Sequence, residues 1–270
     1  MQQKKYFSNV DSFLNSSLQF HQFLHIALSL NQIGDEDISG LGSALANCTN
    51  LSNLTLDLAD NLIGDVGVSV LGSALTNCTN LSNLTLNLGY NKIGAIGVSG
   101  LGSALANCTN ISNLTLDLCG NKIGDESTSV LDFTLVNCIY LSNLTLFISS
   151  NKIGSINAQS FGSALVNYAY LSNLTLDLSY NQIGDAGASS LSSALANCTN
   201  LSNLTLDLSL NKIGSIGVQD LGFALANCPN LSNLALYLFG NEMNGSQQLK
   251  VENKCLKSKR LVAFQIYFEL

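Results

Sequence analysis

Apolar and polar residues follow two rhythms along this chain, and the pair of rhythms returns every 30 residues. In Leu51-Ser52-Asn53-Leu54-Thr55-Leu56-Asp57-Leu58, the leucines at 54, 56 and 58 alternate with polar residues. That is the period of two of a strand with one buried face, and it predicts a strand over about residues 52–59. Val68, Leu71, Leu75 and Cys78 then fall at spacings of three and four. They form the apolar stripe of a helix over roughly residues 66–77. Asn61-Leu62-Ile63-Gly64 turns the chain between the two. Asp65 stands where its carboxylate can cap that helix by accepting from the free N–H groups of the first turn. Asp35, Asp125 and Asp185 repeat the placement, Ser155 and Ser215 can substitute, and Ala95 cannot.

An asparagine punctuates the unit eight times, at Asn31, Asn61, Asn91, Asn121, Asn151, Asn181, Asn211 and Asn241. A period of this length belongs to a stacked array. Strand, helix and next strand running in one direction require parallel pairing through right-handed crossovers. Strands stack about 4.8 Å apart whereas helix axes need about 10 Å, so the array curves with its strands inside. Where the chain bends away from a parallel strand, buried backbone groups lose their partners, and an amide side chain can both donate and accept. All eight asparagines are therefore expected to form a buried ladder.

The pattern Leu-x-x-Leu-x-Leu, then Asn-x-Ile-Gly-Asp-x-Gly-x-x-x-Leu, resembles the leucine-rich repeat of the ribonuclease-inhibitor type. Asn61 to Leu71 carries it most fully and Asn181 to Leu191 nearly so, within a resemblance covering residues 21–270. It implies an α/β fold, a right-handed β/α solenoid or horseshoe with a parallel sheet on the concave face and helices on the convex face. One departure is visible: two residues are inserted between the leucines and the asparagine, so a longer strand or a bulge is expected. The organisation predicted is a cap over residues 1–20 with a short helix around Asp11, Phe13, Leu14 and Leu18, then a repeat domain over 21–270. His21 to Leu30 supplies its first strand, and Leu261, Phe264, Ile266 and Phe268 supply a ninth, terminal one.

Composition narrows the function. Charged residues are 11% and hydrophobic ones 46% of 270 residues, ample apolar surface to offset chain entropy. The formal charge of −7, the pI near 4.6 and a single arginine, Arg260, point away from nucleic acid. The polar residues Asn9, Asp11, Asn15 and Ser16 interrupt any secretory signal, and no apolar run is of membrane length. A cytoplasmic location is expected. Cys48, Cys78, Cys108, Cys138, Cys198 and Cys228 share one repeat position, with Tyr168 in the missing slot, and read as buried free thiols. Cys119 and Cys255 lie off that row and are expected to be more accessible. The many Asn-X-Ser/Thr matches read as incidental, because glycans would crowd the strand faces.

Catalytic and cofactor chemistry finds little material. His21 and His25 are the only histidines and stand in the first predicted strand, so they read as structural. No phosphate loop or nucleophile elbow occurs, and no cofactor or metal is expected. What remains is the inner face. Its outward positions are Asp57, Asn87, Asp117, Phe147, Asp177, Asp207 and Tyr237, with Asp177 and Asp207 on adjacent rungs where like charges repel. The copies differ most in the four residues before each asparagine. There Tyr90, Tyr180, Tyr237 and Phe239 are candidate anchors beside the aspartates. Tyr140, Phe147, Tyr168 and Tyr170 are expected to make an aromatic patch. Lys92, Lys122, Lys152 and Lys212 mark the loop rim. These features favour a non-catalytic module binding a basic protein partner, without nucleic acid or membrane. The alternatives are the sensor or regulatory arm of a larger signalling protein, such as a nucleotide-binding receptor or kinase, and a regulator of a small GTPase.

Overall fold

The computed structural model describes residues 4–124, 140–166, 168–256, 258 and 260–268. One parallel sheet of ten strands runs in chain order through them: β1 (Lys5–Phe7), β2 (Phe23–Ala27), β3 (Asn53–Asp57), β4 (Asn83–Asn87), β5 (Asn113–Asp117), β6 (Asn143–Phe147), β7 (Asn173–Asp177), β8 (Asn203–Asp207), β9 (Asn233–Tyr237) and β10 (Ala263–Tyr267). The helices are α1 (Val10–Leu14), α2 (Asp35–Ala46), α3 (Asp65–Leu75), α4 (Ala95–Leu105), α5 (Ser155–Leu165), α6 (Gly184–Asn197), α7 (Ser215–Asn227) and α8 (Gly245–Leu256). This is a leucine-rich-repeat β/α solenoid. Equivalent residues of successive repeats pair directly, Asn53 with Asn83 and Leu54 with Leu84, so any substitution pattern in the repeat becomes a straight row across the sheet.

Each repeat buries its alternating leucines against its helix. Leu54, Leu56, Leu58, Ile63, Val68, Leu71, Leu75 and Leu81 are all within the core. The thiol row lies there too, and it is bonded: Cys78, Cys108, Cys198 and Cys228 direct Sγ at the Leu45, Leu75, Leu165 and Leu195 carbonyls of the preceding repeat, at 3.5–3.7 Å. Burial, with the neighbouring thiols, pushes Cys78 and Cys228 up to about 12. Cys138 lies outside the described residues. Cys119 and Cys255 are buried, against the expectation of access, since Cys255 packs inward from α8 beside the end of the thiol row.

The conserved-position asparagines knit the repeats. Asn181 donates through Nδ2 to the carbonyls of Ile148, Leu178 and Ser179, and its Oδ1 accepts the N–H groups of Asn151 and Ile153, at 2.9–3.1 Å. Asn61, Asn91, Asn151, Asn181 and Asn211 are buried, and Asn121 and Asn241 are half-buried. Asn31 departs from the prediction: it is exposed, and its side-chain amide donates to the Ser29 carbonyl of its own turn and not to a neighbouring repeat. The chain after β1 winds straight into α1, so no strand-end turn lies beneath Asn31 to be bridged.

Three further expectations are corrected. The strands run over five residues and not eight, Asn53–Asp57 where residues 52–59 were expected. The two inserted residues do not make a bulge. The N–H groups of Leu58 and Asp60 continue the pairing to the Asn87 and Gly89 carbonyls. The extra length is absorbed by a left-handed residue, with φ of 53–65° at Leu30, Asp60, Tyr90, Gly120, Ser150, Tyr180, Leu210 and Gly240. Residues 5–7 were not foreseen as a strand, yet Lys5, Tyr6 and Phe7 pair with Leu24, His25 and Ile26.

The third correction concerns the aspartates before the helices. The position before α3 and α4 is glycine, without a side-chain cap, and the aspartates reach instead into the following repeat. Asp35 accepts the Gly64 N–H, Asp65 the Gly94 N–H and Asp185 the Gly214 N–H, each at 2.7 Å, and Asp185 also takes Gly217. A carboxylate so placed leaves no room for a side chain below it: a Cβ at Gly67 would come within 2.5 Å of Asp35 Oδ1. Where the aspartate is replaced by Ala95 or Ser155, the glycine of the next repeat flips. Gly124 and Gly184 adopt φ of +64° and +61°, and their N–H groups go to the Asn151 and Asn211 carbonyls. Asp125 lies outside the described residues.

Candidate functional site

The concave strand face carries three rows of side chains. At the strand starts, Asn113, Asn143, Asn173, Asn203 and Asn233 each donate through Nδ2 to the Oδ1 of the asparagine one rung back, at 2.5–2.6 Å. Each also donates to the hydroxyl of the serine before it. A run of amides aligned this way polarises itself and resists interruption. Threonines 55, 85, 115, 145, 175 and 205 form the middle row.

The third row, at the strand ends, reads Asp57, Asn87, Asp117, Phe147, Asp177, Asp207, Tyr237 and Tyr267 in strict register. All are half-buried except Tyr267, which is exposed. The acidic members are held: Oδ1 of Asp57, Asp117, Asp177 and Asp207 accepts the N–H two residues on, at 3.2, 2.9, 2.9 and 2.9 Å. Asn87 makes the same bond to Gly89 at 3.1 Å, so the bond needs an oxygen and not a charge. Burial raises the Asp207 carboxyl above its ordinary value; the Ser209 hydroxyl and N–H oppose this, and the Asp177 charge on the next rung adds to it. Tyr237 stacks on Tyr267 with ring centroids 4.6 Å apart and planes 7° from parallel.

The structure thus brings Asp177, Asp207, Phe147 and Tyr237 into one uninterrupted run, with Asp117 beyond Phe147 and Asp57 two rungs further. It does not bring the other candidates into that run. Tyr90 and Tyr180 stand on the rim at 61% and 58% exposure, three rungs apart, in the left-handed row. The Tyr90 ring lies over Gly120, where a Cβ would meet it at 2.6 Å. Phe239 is half-buried in the row between, as are Ala59 and Ser149, whereas Gly89, Cys119, Ser179 and Ser209 are buried, so in those four repeats two of the four positions before the asparagine are closed to a partner. The expected aromatic patch divides. Tyr140 and Tyr170 stack at 6.1 Å, Tyr168 is in the core, and Phe147 lies on the strand face. The Tyr140 and Tyr170 pair interrupts another bonded row, in which Asn50, Asn80, Asn110, Asn200 and Asn230 reach carbonyls of the preceding repeat.

Beside the stacked tyrosines the side-chain rows run out. Ala235 replaces threonine and Ala263 replaces asparagine, leaving an open hollow of about 680 Å³ lined by Asn203, Thr205, Asn233, Ala235, Ala263 and Gln265. The asparagine ladder ends there, at Asn233. Sequence reasoning missed that ladder and Tyr267. The signal was there, since an amide at every rung is the mark of a bonded ladder.

His21 is buried at the start of β2, with Nε2 2.8 Å from Ser16 Oγ and its ring against Phe7 and Phe13. Burial, and then the Lys5 charge, holds it below the ordinary histidine value. Among the described residues no group of three His, Cys, Asp or Glu is arranged around a metal position. No helix among them is long and apolar enough to cross a membrane.

The model of the leucine-rich repeat family matches residues 23–42, 50–72, 80–102, 170–192 and 200–222, so leucine-rich repeats are present in the chain. No curated protein matches it. Among solved structures it is similar to a protein from Bacteroides fragilis, a structural genomics target, at 14% identity and a TM-score of 0.51, covering 97% of this chain and 73% of that one. A TLR13–ssRNA13 complex is similar over 96% of this chain and 35% of its own, at 19% identity and a TM-score of 0.49.

Proposed function

We propose that the chain is a non-catalytic protein-binding module whose partner, basic in charge, lies along the concave strand face. The observation that carries this reading is the strand-end row, in which Asp117, Phe147, Asp177, Asp207, Tyr237 and Tyr267 stand in register on one open surface. A repeat scaffold presents such a surface with little ordering cost on binding. Carboxylates and aromatic rings on it supply charge complementarity and anchors. Helices of eleven to fourteen residues from α2 through α7 support assignment to the ribonuclease-inhibitor-like subfamily. Seven free cysteines among the described residues support a reducing, cytoplasmic setting.

Because those seven thiols are buried, an introduced cysteine in a Cys138→Ser background can be labelled alone with a photoactivatable maleimide. Thr115→Cys on the strand face and Ser73→Cys on α3 provide the pair. In native lysate the Thr115→Cys probe is expected to crosslink one protein set, diminished by salt, that the Ser73→Cys probe does not. Crosslinks confined to the Ser73→Cys probe would overturn the assignment to the strand face.

A further inference from the structure

Phe147 and Tyr237 stand three rungs apart in the strand-end row, about 14 Å at parallel-strand spacing. The two rungs between them are Asp177 and Asp207. An aspartate is shorter than either aromatic by a ring, so the volume above the two carboxylates is floored by acid and walled at both ends by aromatic side chains. Tyr267 backs Tyr237 in a parallel stack and holds its ring upright. Nowhere else in the row do two carboxylates adjoin: Asp57 and Asp117 are separated by Asn87, and Asp117 meets Phe147 alone.

We propose that this slot receives an arginine side chain of the protein partner. The inference rests on the strand-face reading and names the chemistry recognised there. Carboxylates about 4.8 Å apart on parallel rungs match the fork of a guanidinium, which can donate to both at once. The flat face of the same group lies against the Tyr237 ring, an arrangement a compact ammonium exploits less well. Two like charges on adjacent rungs oppose each other until a cation joins them, which supplies the complementarity a neutral side chain lacks. The hollow beside β8 to β10 is lined by Thr205 and Ala235, each two residues before a slot residue on its strand, and gives room for the main chain carrying the arginine. Its floor at Ala235 is apolar and small, and the ladder's last oxygen, on Asn233, is placed to accept a backbone N–H.

The probe is a fluorescein-labelled peptide of alternating arginine and glycine, capped at both termini, with fluorescence anisotropy as the readout. A citrulline version keeps the shape and removes the charge. Asp177→Asn with Asp207→Asn is expected to weaken binding by about tenfold, since a paired charge is lost at each rung while the Oδ1 bond seen at Asn87 is retained. Tyr237→Leu is expected to weaken it by about threefold to fivefold. Asp57→Asn with Asp117→Asn, equal in charge removed, is expected to change it by less than about twofold. The citrulline peptide is expected not to bind. Equal weakening by the two aspartate pairs, indifference to Tyr237→Leu, or no binding of the arginine peptide would each overturn the slot. If the slot fails while the Thr115→Cys probe still crosslinks from the strand face, the broader reading stands and only the arginine is wrong.

Discussion

At the starts of β4 to β9 the asparagine side chains of neighbouring rungs bond to one another, whereas at the strand ends the aspartates and Asn87 bond back to their own chain. Asn173 gives its amide to Asn143 and receives that of Asn203, while Asp177, four residues on, accepts only from Ser179. A side chain bonded sideways depends on what the adjacent copies carry, so the strand-start row is asparagine in every repeat from Asn53 to Asn233. A side chain bonded locally is free of its neighbours. The strand-end row accordingly holds aspartate, asparagine, phenylalanine and tyrosine on the same backbone. Uniformity and variation thus reflect where each bond goes, and a binding surface can change only along rows of the second kind.

The contrast can be broken hardest just beyond the strand end, where the side chains again bond across repeats and are buried. Asn181→Leu removes the Oδ1 that accepts the N–H groups of Asn151 and Ile153 and the Nδ2 that donates to the Ile148, Leu178 and Ser179 carbonyls, and is expected to cost about 3 kcal/mol in urea unfolding. A loss under about 1 kcal/mol would show that water replaces the amide. Next comes the strand start: Asn173→Ala removes a link from a half-buried ladder that solvent can partly repair, with an expected loss of about 1 kcal/mol.

The strand-start end also holds a buried histidine, His21, which occupies in the first rung the slot that Leu51 fills in the second. Its folded pKa lies below the unfolded one, so its contribution is present above the ordinary value of 6.5 and is lost as pH falls through the folded value. His21→Leu is expected to remove that part of the acid destabilisation, followed by tryptophan-free circular dichroism melts across pH 4 to 8, a range set by ordinary histidine titration. The smallest effect belongs to the strand end. Asp177→Asn and Asp207→Asn should each change stability by less than about 0.5 kcal/mol at neutral pH. For Asp207 the sign runs opposite to His21. Its folded pKa is raised, so its contribution is greatest below the ordinary value of 3.8 and declines as pH rises through the folded value. The Asp207→Asn variant should therefore gain slightly on the wild type over that rise, in the same melts.

The period and the asparagine ladder from Asn61 to Asn241 were legible in the recurrence of the repeat, and the strand and helix faces within a single copy. Burial on one side leaves a rhythm of two or 3.6 residues that needs no partner to be seen. Bonds between copies leave no such trace. Asp65 satisfies the sequence rule for a helix cap and yet serves Gly94, 29 residues away, because a cap and a cross-repeat bond call for the same residue at the same place. β1 was invisible for another reason: three residues, Lys5, Tyr6 and Phe7, are too few to show alternation. The acidic and aromatic members of the candidate site, Tyr267 excepted, were each named as candidates from the sequence. Their contiguity came from the register of the sheet, as did the hollow beside them and the stacking of Tyr267.

The bond from an aspartate to the glycine of the following repeat also bears on how such a chain is inherited. With aspartate at 35, 65 or 185 the next glycine is extended, and with Ala95 or Ser155 it is left-handed. The compatible unit is therefore a junction between two copies and not a copy by itself. Unequal recombination that cuts between an aspartate and the glycine 29 residues on can leave that aspartate facing a backbone settled for alanine, whereas a cut between a glycine and the helix that directly follows it keeps each aspartate with its own glycine.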